Sequence, residues 1–190
     1  MTKIYLPYST TEGQTAKIAE YIADVIRAHG HDVDAVDIKD AGDSVPAGYD
    51  GVIVGASIHL GKYDKHASDY VRRNRAVLEQ LPSAFFSVSL AAHGDTHEAE
   101  GYVEQFEKET GWRPDRIGVF GGALLYTQYG FLKRRLMKKI AGDKPGDLGT
   151  DTSRDYVYTE WDGVKRFAED FLDTLLSGQA AGDPTPSAVR

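Results

Sequence analysis

Short runs of consecutive apolar residues alternate along this chain with stretches in which apolar residues recur at helical spacing. The runs at residues 3–6, 32–38, 51–55, 83–90 and 116–124 predict five strands. An unbroken apolar run, rather than strict in-out alternation, is what a strand covered on both faces requires, so the five belong in one parallel sheet with helices on both sides. Helices are predicted over residues 15–29, 63–81, 98–110 and 161–176. In the first, Ile18, Ile22 and Ile26 fall on one face beside Ala19 and Ala23, and Gly30 stops the helix. In the second, Ala67, Tyr70, Val71 and Leu78 are the inner positions, and Pro82 ends it. This alternation defines an α/β, doubly wound domain over residues 1–176 with no internal repeat.

Two segments fall outside that plan. An insertion near the last strand, about residues 125–155, carries an amphipathic piece followed by a loop rich in Gly, Asp and Pro. On a helix, Leu132, Leu136 and Ile140 align, Tyr129 and Met137 flank them, and Arg134, Arg135, Lys138 and Lys139 lie mostly away, with Lys133 at the border. Such a piece either packs its apolar stripe on its own domain or lies on an anionic membrane surface. The tail, residues 177–190, is small and polar and is expected to be disordered.

Composition narrows the chemistry. With 22 Lys+Arg against 29 Asp+Glu, the net charge is −7, which argues against a nucleic-acid partner. The absence of Cys removes disulfides, thiolate nucleophiles, iron–sulfur clusters and most zinc sites, so no metal is expected and redox chemistry needs a borrowed cofactor. No leader and no membrane-spanning apolar stretch is evident, and the expectation is a cytoplasmic protein, peripheral at the inner face of the cell membrane if the insert binds lipid.

The candidate site begins after the first strand, where Ser9, Thr10, Thr11, Glu12, Gly13, Gln14 and Thr15 lead into the first helix. Hydroxyls and backbone N–H groups at a helix N-terminus suit an anion, although the same residues also serve as ordinary caps. No Lys or Arg lies in this loop, and neither a Walker loop nor a dinucleotide fingerprint is present. In a doubly wound sheet, the loops after the third and fourth strands reach the same crevice. They bring Ala56, Ser57, Ile58, His59, Gly61, Lys62 and Tyr63 from one side and Leu90, Ala91, Ala92, His93 and Gly94 from the other. His59 and His93 are the candidate catalytic groups, as donors or proton shuttles, and equally candidates for solvated loop histidines.

The spacing of Tyr8, Thr10, Gly13 and Thr15 resembles the FMN signature of the flavodoxin family. That resemblance implies a five-stranded parallel sheet in the order 2-1-3-4-5, FMN as cofactor, and the third-strand loop packed on the flavin ring. Further segments, among them Gly55 to Tyr63, Pro82 to Val88, Trp112 to Asp115, Gly121 to Leu124 and Val157 to Trp161, resemble the menaquinone-dependent protoporphyrinogen oxidases of bacterial haem synthesis. This implies an FMN-dependent oxidoreductase with a porphyrinogen-type substrate and a quinone acceptor. The stretch from His93 to Glu100 is acidic, where basic residues would suit the propionates of such a substrate. A soluble flavodoxin-like electron carrier is the alternative, using the same site to serve a protein partner.

Overall fold

The computed structural model describes residues 1–182. Strand β1 (Lys3–Ser9) leads into helix α1 (Gln14–Ala28), then β2 (Asp32–Asp37) and β3 (Gly51–His59). A short strand, β4 (Lys62–Tyr63), folds back on the end of β3 before α2 (Lys65–Leu78), β5 (Ser83–Ser89), α3 (Thr96–Thr110) and β6 (Arg116–Gly121). Then come β7 (Ala123–Leu124), α4 (Phe131–Asp143), β8 (Tyr156–Val157) and α5 (Trp161–Gly182). The parallel strands lie in the order β2-β1-β3-β5-β6, which without the β4 arm is the expected 2-1-3-4-5, with its switch point between β1 and β3.

The sheet is buried on both faces because consecutive residues of each apolar run go to opposite cores. Val52, Val54 and Phe85 pack under α2 and α3 with Val71, Phe106 and Trp112. Ile53 and Phe86 pack on the other side with Ile18, Ile22 and Ile26 of α1 and Val164 and Phe171 of α5. Each of the three α1 isoleucines is fully buried, worth about 1.5–3 kcal/mol apiece, so packing of this stripe fixes the helix.

Several boundaries move for identifiable reasons. Strand β1 continues through Pro7 to Ser9. Its pairing with β3 runs Ile4–Gly51, Tyr5–Val52, Tyr8–Gly55 and Ser9–Ala56, passing over Leu6 and Pro7, where proline offers no N–H. Helix α2 starts at Lys65 because the Asp64 carboxylate accepts from the His66 N–H at 2.9 Å, leaving Tyr63 in β4. Helix α3 is likewise opened by Asp95, which accepts from the Glu98 N–H at 3.0 Å. The last predicted strand breaks at Gly122, whose N–H goes to the Ser89 carbonyl at 2.9 Å, and β7 leaves the sheet to pair with β8. Helix α5 runs past Leu176 to Gly182, so residues 177–182 continue the helix, and the rest of the expected tail, 183–190, lies outside the described residues.

The insert builds a small core of its own. Leu124, Leu125, Tyr126, Tyr129, Met137, Ala141 and Leu148 are buried together. The face of α4 that packs inward is Met137 and Ala141 with Ile140 beside them, so the aligned stripe is split: Leu132 and Leu136 are 80% and 47% exposed, and Phe131 is 76% exposed. Arg134 also departs from expectation, donating to the Tyr126 and Tyr129 carbonyls at 3.0 and 3.1 Å as a staple within the insert. No helix among the described residues is long and apolar enough to cross a membrane.

Candidate functional site

Three loops beyond the C-terminal ends of β1, β3 and β5 converge on one cavity of about 420 Å³. Thr10, Thr11 and Glu12 line it from the first loop with Gln14 and Thr15 at the start of α1, Ser57, Ile58 and His59 from the end of β3 with Leu60 and Gly61 of the turn to β4, and Leu90 and Ala91 from the third loop. Its remaining wall comes from Val88, Ser89, Gly122 and Ala123, from Glu98 and Tyr102 of α3, and from Met137, Ile140 and Lys144 of the insert.

The first loop leaves the start of α1 uncapped. Gly13 holds a left-handed φ of 88° as the residue before α1, and no side chain caps that helix, whereas α2 and α3 are each closed by an aspartate. An open N-terminus carries unsatisfied N–H donors and a partial positive charge. The Gly13 N–H donates to Thr10 Oγ1 at 3.0 Å, which leaves the Thr10 hydroxyl proton free to donate outward. Gln14 is almost fully buried: its Nε2 donates to Thr159 Oγ1 at 2.8 Å, and Thr159 donates to the Gly121 carbonyl at 2.7 Å. Gln14 Oε1 is itself buried and has no hydrogen-bond partner.

Glu12 ties this loop to the insert. It accepts from the Tyr129 hydroxyl, pairs with Lys133 Nζ at 2.7 Å, and lies 4.0 Å from His59 Nδ1. Burial, reinforced by the Glu12 hydrogen bond, pushes the Tyr129 hydroxyl up from its ordinary range, so it stays a donor. Across the cavity, Glu98 accepts from Lys144 Nζ and, at 2.6 Å, from the Tyr102 hydroxyl. The Lys144 hydrogen bond, with Tyr102 second, holds the Glu98 carboxyl below its usual range, while burial and then Glu98 push Tyr102 up to about 12.

The turn between β3 and β4 needs two left-handed residues, Leu60 at φ 49° and Gly61 at φ 79°. Glycine takes that conformation freely; leucine does so under strain, and Leu60 is 66% exposed beside the cavity.

The remaining expected residues do not line the cavity. Tyr63 donates to Ser87 Oγ at 2.8 Å and packs on Phe106 at 4.8 Å, so it sits under the loop instead of stacking in the site. Ser9 donates to Asp64 at 3.2 Å, Ala56 is buried in the sheet, and Lys62 is exposed on β4. Gly13 acts through its backbone, and the Ala92 N–H donates to Ser89 Oγ at 3.2 Å. His93 lies against the Tyr158 ring at 4.4 Å, and Gly94 abuts Gly146 of the insert loop. Of the two candidate histidines, only His59 faces the cavity. Glu98, Tyr102, Met137, Ile140 and Lys144 were not expected at this site: Met137 and Ile140 stood out only as part of an amphipathic piece and Glu98 only within an acidic stretch, because no spacing rule ties α3 or the insert to the loop after β1.

A doubly wound parallel sheet with a hydroxyl-rich loop free of Lys and Arg at its switch point is a protein of the flavodoxin class. The flavodoxin-domain model matches residues 5–151. A protoporphyrinogen IX dehydrogenase [quinone] of Leishmania major is 39% identical over 98% of this chain and 80% of its own length. The protein of that name in Escherichia coli K12 is 34% identical over 88% of this chain and 93% of its own. Flavodoxin 1 of Bacillus cereus shares the fold at a TM-score of 0.51, with 16% identity, over 90% of this chain and 98% of that one. The chain belongs to the flavodoxin-domain family, in the branch that contains these quinone-linked dehydrogenases.

Proposed function

We propose that this chain is an FMN-dependent protoporphyrinogen IX dehydrogenase that passes electrons to a quinone, and that α4 seats it on an anionic membrane surface. The observation that carries the reading is the junction of the phosphate loop with the insert across one cavity. A simple electron carrier has no need of Met137, Ile140 and Lys144 closing over the site.

The residues fit FMN. The open start of α1, the Thr10 and Thr15 hydroxyls and the absence of a cation in the loop suit a phosphate monoester. When bound, FMN supplies the redox centre between porphyrinogen and quinone. The protein's part is to hold the phosphate, wall the ring with Ile58, Leu90 and Ala91, and keep His59 at the cavity beside Glu12.

The membrane reading rests on Phe131, Leu132 and Leu136, exposed next to exposed Arg135, Lys138 and Lys139 in a protein of net charge −7. The test is anaerobic reduction of the FMN-loaded protein by protoporphyrinogen IX, read as bleaching of the flavin absorbance, followed by reoxidation with a menaquinone analogue. Bleaching by porphyrinogen and recovery with quinone support the reading. Reduction only by a protein donor such as a flavodoxin reductase returns the chain to the carrier class.

A further inference from the structure

Among the described residues, Lys144 is the one Lys or Arg that lines the cavity. It stands just after α4, and its ammonium meets Glu98 in the first turn of α3, where Tyr102 also donates to the same carboxylate. The acidic stretch that follows the fourth parallel strand thus receives its cation from the insert, 46 positions along the chain. The pair is neither buried nor free in solvent, with side-chain exposures of 28% for Lys144 and 32% for Glu98. The Tyr102 hydroxyl lies 3.9 Å from where a Cβ would stand on Gly61, so the cluster sits beside the β3–β4 turn.

Resting on the reading above, we propose that Lys144 recognises a propionate carboxylate of the porphyrinogen, with Glu98 and Tyr102 as positioning residues that aim its ammonium. An ammonium has three donors, and Glu98 occupies one. The others are available to a substrate carboxylate, and no other Lys or Arg among the described residues lines the cavity. The same cavity has an apolar wall in Met137, Ile140 and Ala123, as a tetrapyrrole face requires. Glu98 weakens the attraction by partly neutralising Lys144, in exchange for a fixed direction.

The experiment compares protoporphyrin IX with its dimethyl ester, which has the same macrocycle and no carboxylate. The FMN-loaded protein is titrated with each and followed by porphyrin absorbance, and KM is measured for the two corresponding porphyrinogens. The wild type is expected to favour the diacid at least about tenfold, as a charge-assisted hydrogen bond requires. Lys144→Met should remove the preference, Lys144→Arg should keep it, and Glu98→Gln should enlarge it, all with unchanged FMN content. A diacid preference that survives in Lys144→Met overturns the assignment while leaving the dehydrogenase reading intact, as does a wild type that turns over both porphyrinogens equally. If the wild type oxidises neither porphyrinogen, the underlying reading falls and the assignment falls with it.

Discussion

Lys133 Nζ lies 2.7 Å from Glu12 Oε1, so the first turn of the insert helix is ion-paired to the phosphate loop. The Tyr129 hydroxyl donates to the same carboxylate from a buried position. Glu12→Ala leaves that hydroxyl without its acceptor, and the expected cost is about 1–3 kcal/mol, borne locally by the insert. Limited proteolysis should therefore cut within residues 125–155 faster in the variant while the sheet stays protected.

The phosphate loop predicts a specific loss. Replacing Thr10 and Thr15 together with alanine removes two hydroxyls from the open end of α1, and Thr10→Ala also strips the Gly13 N–H of its acceptor. FMN affinity should fall by about 1–3 kcal/mol per lost charge-assisted bond, read from quenching of flavin fluorescence. Equal affinity in wild type and double variant would mean that the phosphate lies elsewhere.

Gly61→Val tests the turn beside the ring. A side chain there has room, since the nearest atom to its Cβ is the Tyr102 hydroxyl at 3.9 Å, so the penalty comes from the backbone at φ 79°. A β-branched residue resists that conformation by roughly 1–3 kcal/mol, and the turn should re-form differently. The expected outcome is a shifted flavin potential or lost FMN, with far-UV circular dichroism like wild type.

Membrane seating is tested at Arg135, Lys138 and Lys139; Arg134 is left out because it staples the insert internally. Changing the three to glutamine should weaken binding to anionic liposomes by about 1 kcal/mol per charge, or roughly a hundredfold in all. Sedimentation with anionic and neutral liposomes measures this, and FMN content should not change. No sedimentation of the wild type with anionic liposomes at low salt would remove the membrane role.

The Glu98–Lys144 contact has a pH signature. Because the folded carboxyl titrates below its ordinary value, its contribution is full above the unfolded pKa of about 4.3 and disappears as pH falls through the lower folded value. The thermal midpoint of wild type should thus exceed that of Glu98→Gln near neutral pH, and the gap should close on acidification. A gap that stays constant through the acid range would show that the pair adds nothing to stability.

What the sequence determined by itself was whatever depends on short-range periodicity. The apolar runs, the Ile18–Ile22–Ile26 stripe and the Thr10, Gly13, Thr15 spacing each lie within one element or one junction, so backbone geometry converts them directly into strands, a buried helix face and a hydroxyl-rich loop at the uncapped start of a helix. The three loops that meet at the cavity follow from the parallel topology. Only the tertiary structure decided the insert. Which face of α4 turns inward depends on what it meets: Met137 and Ala141 found Leu124, Tyr126 and Leu148, and this left Leu132 and Leu136 outside although their spacing is equally helical. Tyr63 was drawn beneath its loop by Phe85 and Phe106, and His93 was held by Tyr158 away from the cavity, contacts with residues that no local pattern links to them. The Lys144–Glu98 pair is of the same kind, since an ion pair between separate elements exists only once packing has brought them together.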